Sequence, residues 1–148
     1  MNTTQAPARL SDHRENNFRS LTILLVDDNA DFRAVMQQLL EQLGHQVVTA
    51  PDGVKALRMF EALEQDIDLI LLDYMMPGMN GAETLNYFRL VKPSVKVILM
   101  SGAEELRLRR IFAEHRIDGQ LHKPSSAEDI LRALDQVLAP DSNHAKAR

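Results

Sequence analysis

The chain has 148 residues, 45% hydrophobic and 26% charged, with a formal net charge of −4 and no cysteine. A single compact domain of this size needs no covalent staples, and the absence of cysteine excludes disulfides, thiolate zinc sites and thiol catalysis. The acidic balance argues against a nucleic-acid partner, and no stretch approaches the ~18 apolar residues of a membrane span or reads as a secretory signal, so a cytoplasmic protein without a membrane partner is expected.

Residues 1–20 are polar and read as a flexible N-terminal extension, 140–148 as a flexible C-terminal tail, which leaves 21–139 as the domain. Leu21 to Val26 is an apolar run too short for a helix and typical of a strand buried on both faces. From Asp31 to Leu43, Phe32, Val35, Met36, Leu39, Leu40 and Leu43 recur at helical spacing, and Gly44 supplies the stop. A short strand, Gln46 to Ala50, leads through Pro51-Asp52-Gly53 into a helix with Val54, Leu57, Phe60, Ala62 and Leu63 towards the core. The strand Leu69 to Leu72 follows. After the loop Pro77 to Gly81, a helix carries Leu85, Phe88 and Leu90, and Pro93 separates it from the strand Val95 to Met100. A helix from about Glu104 to Glu114, a short strand around Gln120-Leu121 and a last helix marked by Ile130, Leu131, Leu134, Val137 and Leu138 complete the chain. Five strands alternating with five helices predict an α/β fold: a doubly wound parallel sheet with helices on both faces and a ligand site at the C-terminal strand ends.

The polar residues that end those strands are Asp27-Asp28, Asp73, Ser101 and, after the fifth, Lys123. Crowded carboxylates repel one another unless a cation sits among them, and hard oxygen ligands suit Mg2+. Lys123 offers a point charge and Ser101 a hydroxyl for phosphate oxygens. The carboxylate of Asp73 can then attack phosphorus in line while metal and lysine neutralise the transferring oxygens, giving an aspartyl phosphate.

Each residue alone has a plainer reading. Asp27 and Asp28 are favoured near a helix N-terminus, Asp73 before Pro77-Gly78 is a turn former, and a single lysine is usually a solvated charge. An EF-hand reading of Asp27, Asn29 and Asp31 fails because the sixth position is Phe32 and the twelfth Gln38. Met75, Met76 and Met79 read as packing, and the five histidines lack zinc-ligand spacing. What favours a site is the coincidence of four constellations at one sheet edge.

Val26-Asp27-Asp28-Asn29, Leu72-Asp73-Tyr74-Met75-Met76-Pro77-Gly78-Met79-Asn80-Gly81, Met100-Ser101-Gly102-Ala103 and His122-Lys123-Pro124 together resemble the receiver domain of bacterial two-component response regulators, in that family's order, over Leu21 to about Ala139. The resemblance implies a flavodoxin-like sheet of order 2-1-3-4-5. It implies that Asp73 is the phosphoacceptor, and that Mg2+ or Mn2+ is held by Asp28 and Asp73, by Asp27 partly through water, and by the backbone carbonyl of Met75. It also implies that Lys123 holds a phosphoryl oxygen, that Ser101 moves to it after transfer, and that Lys123-Pro124 is often a cis bond. The phosphodonor would be a sensor histidine kinase or histidine phosphotransfer protein, and the altered surface would be the fourth predicted helix, fifth strand and fifth predicted helix. One departure stands out: where many members carry a switch aromatic, this chain has Gln120.

The expected function is a stand-alone phosphoacceptor switch in a phosphorelay, read by an unidentified downstream protein, and not an enzyme beyond self-catalysed phosphorylation and slow self-dephosphorylation. Arg107, Arg109 and Arg110 with Glu104-Glu105 give the fourth predicted helix a charged face for such a partner. Two other readings compete. An aspartate-dependent phosphatase needs a second aspartate two residues after the nucleophile, and Met75 stands there. A binding module indifferent to phosphate is favoured by Gln120 and opposed by the intact acidic pocket.

Overall fold

The computed structural model describes residues 19–102, 110, 114–123 and 126–139. Within them the chain runs β1 (Thr22–Val26), α1 (Ala30–Gln42), β2 (Gln46–Ala50), α2 (Gly53–Leu63), β3 (Leu69–Asp73), α3 (Gly81–Val91), β4 (Lys96–Ser101), β5 (Gly119–His122) and α4 (Ala127–Leu138). The strands form one parallel sheet in the order β2-β1-β3-β4-β5, as expected. Of the five predicted helices four are present among the described residues; the one expected from about Glu104 to Glu114 lies largely outside them, as does Pro124.

Successive strand residues point to opposite faces, so the continuous apolar strands feed two cores at once. Leu24, Val26, Ile70, Leu72, Val97 and Leu99 pack with Ala56 and Phe60 of α2 and Leu85 and Phe88 of α3. Ile23, Leu25, Leu69, Leu71, Ile98 and Met100 pack with Met36 and Leu40 of α1 and Ile130, Leu134 and Val137 of α4. At the centre of the first core the rings of Phe60 and Phe88 meet edge to face, 5.0 Å between centroids.

The helix starts are set by side chains that accept orphan backbone N–H groups. Asn29 caps α1, Asp52 caps α2 and Asn80 caps α3, while Ser126 and Asp129 form a capping box on α4. The α1 cap is therefore Asn29, not either of the two aspartates before it.

Five positions expected in the core are instead exposed: Val35 (67%), Val54 (49%), Leu90 (78%) and Leu138 (44%), and Ala62. The apolar stripe is narrower than the spacing alone suggests. Met36 and Leu40 define the buried line of α1, and Val35, about 100° from Met36 around the helix, falls outside it.

At the edge of the sheet opposite the strands' C-terminal ends, the Arg89 guanidinium ties α3 to the starts of β4 and β5. It donates to the carbonyls of Pro93, Val95 and Arg116 and to the Asp118 carboxylate. Asp118 in turn accepts the Val97 N–H at 2.8 Å. This network fixes the register of the last two strands from below, and so the height at which Ser101 and Lys123 emerge above.

Candidate functional site

Parallel register brings the chemical residues to one rim. Val26 lies beside Leu72, Asp73 beside Met100, and Ser101 beside His122, so Asp27 and Lys123, one step beyond β1 and β5, flank Asp73 and Ser101. The backbone ladder continues through this step: Asp27 donates its N–H to the Ala50 carbonyl at 3.2 Å, and Lys123 donates to the Ser101 carbonyl at 2.9 Å. These hydrogen bonds extend the sheet's ladder by one residue beyond β1 and β5.

Asp27, Asp73 and Ser101 are buried, whereas Asp28 is exposed at the rim. Carboxylate oxygens of Asp27, Asp28 and Asp73 lie within 4.8 Å of one another. Lys123, 96 positions from Asp27 in sequence, donates to its Oδ2, and its Nζ stands 3.5 Å from Asp73 Oδ1. Three carboxylates against one ammonium leave two negative charges uncompensated when all are ionised. That charge, and hard oxygen donors spaced to converge on one point, match a divalent cation such as Mg2+.

The Asp73 carboxyl is pushed up to about 6, first by burial, which disfavours its charge; Lys123 opposes this, Asp27 adds to it, the Met75 N–H opposes it, and Asp28 contributes least. Asp73 Oδ1 accepts the Met75 N–H at 3.2 Å. This places Met75 directly beside the carboxylate, with its side chain exposed.

Between about pH 4, where the unfolded carboxyl titrates, and about 6, where the native one does, the native state binds more protons than the unfolded one, so stability falls as pH rises; above that window the penalty is constant. Asp73→Asn should therefore stabilise the metal-free protein at pH 7.5 by about 1–2 kcal/mol, allowing for solvent at the pocket mouth. The gain should shrink at pH 5 and when a divalent cation is added, as read by urea denaturation. A variant less stable than the native chain at pH 7.5 without metal would contradict this.

Two glycines shape the loop that follows. Gly78 has φ +79°, a left-handed conformation that side chains resist. At Gly81 a Cβ would lie 2.7 Å from both the Asp73 carbonyl oxygen and Tyr74 Cα, because the N-terminus of α3 rests on the end of β3 and donates the Gly81 N–H to the Tyr74 carbonyl at 3.1 Å.

The predicted site residues Asp27, Asp28, Asp73, Ser101 and Lys123 thus share one rim, with Met75 beside Asp73. Gln120 does not join them: it lies exposed on β5, in register with Leu99. On the same strand His122 places its Nδ1 3.0 Å from the Ser101 carbonyl oxygen. Sequence reasoning missed two α1 residues. Arg33 donates to the Asp27 carbonyl at 2.7 Å, and the Phe32 ring lies under the Lys123 ammonium, 4.2 Å from Nζ to centroid. Both follow the Asn29 cap within one turn, a spacing that turns such residues towards the rim, yet Phe32 is equally at home on the apolar stripe. Beyond Asp73 a cleft of about 660 Å³ opens between the Tyr74–Pro77 loop, Asn80, Arg110 and Glu114.

The chain belongs to the response regulator receiver domain family, which matches residues 23–135. It is similar to the transcriptional regulatory protein CpxR of Escherichia coli (strain K12), with 35% identity over 116 residues, 78% of this chain and 48% of that protein. It is also similar to the autoinducer 1 sensor kinase/phosphatase LuxN of Vibrio harveyi, with 37% identity over 122 residues, 82% of this chain and 14% of that protein. The chain thus spans half or less of the length of these two curated relatives. Among solved structures, the chemotaxis protein CheY4 of Vibrio cholerae superposes with a TM-score of 0.74 at 26% identity, over 81% of this chain and 100% of that one. Among the described residues no helix is long and apolar enough to cross a membrane.

Proposed function

We propose that this chain is a phosphoacceptor signalling switch in which residues 21–139 form the receiver unit and Asp73 takes a phosphoryl group with the help of Mg2+ or Mn2+. The observation that carries this reading is the cluster of Asp27, Asp28 and Asp73 oxygens within 4.8 Å, with the Lys123 ammonium 3.5 Å from Asp73. In this reading Asp28 and Asp73 bind the metal directly, Asp27 partly through water, and the Met75 carbonyl completes the protein ligands. The metal supplies charge neutralisation on the transferring oxygens.

The donor is a sensor histidine kinase or histidine phosphotransfer protein. One Asp73 oxygen forms a bond to phosphorus as the phosphorus–nitrogen bond to the donor imidazole breaks, and Lys123 holds a phosphoryl oxygen throughout. Ser101 then moves to hydrogen-bond the phosphoryl group, and the change in population is limited by how differently the two conformers contact it. A downstream protein in the cytoplasm reads the altered surface, with no nucleic-acid or membrane contact by this unit. With Met75 where a phosphatase would place its general acid, the domain stores the phosphoryl group and loses it only by slow self-dephosphorylation. Exposed Gln120 cannot bury a ring, so the inward swing of an aromatic is not part of this switch.

Intact mass after incubation with a small acyl phosphate tests the reading. One phosphoryl adduct is expected with Mg2+, none with chelator and none in Asp73→Asn. An adduct of equal yield in Asp73→Asn, or no adduct on folded native chain, would overturn it.

A further inference from the structure

We propose that Phe32 is a positioning residue for Lys123, and that its ring face, not Asp27, anchors the ammonium once a divalent cation occupies the carboxylates. The inference rests on the phosphoacceptor reading above and adds to it a residue that no charge or motif marks.

Lys123 Nζ meets the Asp27 carboxylate, to which it donates, Asp73 Oδ1 at 3.5 Å, and the face of Phe32, whose centroid is 4.2 Å away. The first two are also two of the three carboxylates spaced to converge on a metal. A divalent cation and a lysine compete for the same oxygens, and the doubly charged ion draws the greater share of their field. Metal binding therefore weakens both ion pairs of Lys123 at the moment its charge is needed beside the incoming phosphoryl group.

Unlike these two carboxylates, the ring is not contested by the metal. The negative face of an aromatic attracts an ammonium without offering a lone pair, and more strongly when the pair is withdrawn from water. The Lys123 side chain is only 22% exposed, so little water intervenes. The ring is also held in place independently of the lysine. The Phe32 N–H donates to the Asn29 cap at 2.9 Å, the next residue, Arg33, clamps the Asp27 carbonyl, and Phe32 packs against the core formed with Met36 and Leu40. The first turn of α1 thus holds both partners of the ion pair: Asp27 through its backbone, Lys123 through the ring.

The bland alternative is that Phe32 only fills space beside the α1 core. Packing depends on the ring's shape; the cation–π attraction depends on its charge distribution, which ring fluorines withdraw stepwise with little change of volume. The test is the full chain carrying phenylalanine or its mono-, di- and trifluorinated analogues at position 32, with Mg2+ and a small acyl phosphate. Adduct formation is followed by intact mass, Mg2+ affinity by titration, and folding by urea denaturation.

The transfer rate should fall progressively with fluorine number, roughly three- to ten-fold across the series. Stability should stay unchanged, and Mg2+ affinity unchanged or slightly tighter. A rate that stays flat across the series while the native chain forms its adduct normally would overturn the role of Phe32 and leave the phosphoacceptor reading standing. Absence of an adduct on the native chain would overturn both. Loss of rate in parallel with loss of stability would assign Phe32 to packing alone.

Discussion

Gly81→Ala should destabilise the protein by about 2–4 kcal/mol, a shift of several degrees in Tm, and should cut metal-dependent phosphorylation of whatever folded protein remains. The added methyl would sit 2.7 Å from the Asp73 carbonyl oxygen and from Tyr74 Cα. Both are backbone atoms at the end of a central strand, where no side chain can rotate away. Relief requires α3 to lift from β3, which stretches the hydrogen bond from Gly81 to the Tyr74 carbonyl and moves Asp73 relative to Asp27 and Lys123. Gly78→Ala provides the contrast. Nothing lies within 4 Å of a Cβ there, and the cost comes only from its φ of +79°, about 1–2 kcal/mol. Calorimetry of the two variants, with adduct yield measured on each, checks the prediction; Gly81→Ala no less stable than Gly78→Ala would contradict it.

Lys123→Met should separate two quantities that a simple loss of folding would move together. The Asp73 phosphorylation rate should drop by about 100-fold or more, the scale seen when one charge-stabilising donor is removed from a reaction centre. Mg2+ affinity should rise, because a positive charge competing for Asp27 and Asp73 has gone. The methionine keeps a side chain of similar length and removes only the charge that lies over the Phe32 ring. Titration of Mg2+ into native and variant chains, alongside single-turnover phosphorylation, reads both effects. Weaker Mg2+ binding in the variant would mean that Lys123 organises the carboxylates instead of competing with the metal for them.

Much of this arrangement was legible in the amino-acid sequence. Short runs such as Leu21 to Val26 and Leu69 to Leu72 are apolar at every position, which only a strand covered on both faces tolerates, and the two cores bear this out. The polar residues closing those runs then had to share one rim. Less legible was which apolar helix positions are buried: Val35 and Leu90 sit at helical spacing and are nevertheless exposed, because burial depends on where neighbouring elements end. The aspartate pair after β1 has the composition of a helix cap, yet Asn29 performs that task, while Asp27 accepts the Asn29 N–H at 2.8 Å and faces Lys123. Phe32 was hidden for the opposite reason: a residue on an apolar stripe gives no hint that its ring face meets a charge from the far end of the chain.

Gln120 remains informative. Its exposure beside the site removes an aromatic lever from β5, and the structure instead puts His122 against the carbonyl of Ser101. The Ser101 backbone thus carries contacts from both His122 and Lys123, and any movement of Ser101 towards a phosphoryl group must be accommodated by them.

The most direct test of the central claim is to map the adduct. Native chain phosphorylated by a small acyl phosphate with Mg2+ would be reduced with borohydride, which converts an aspartyl phosphate to homoserine, and then digested and sequenced by mass spectrometry. Homoserine is expected at position 73 alone, in proportion to the adduct seen by intact mass and absent when the metal is chelated. Homoserine at Asp27 or Asp28, or an adduct that resists reduction altogether, would contradict it.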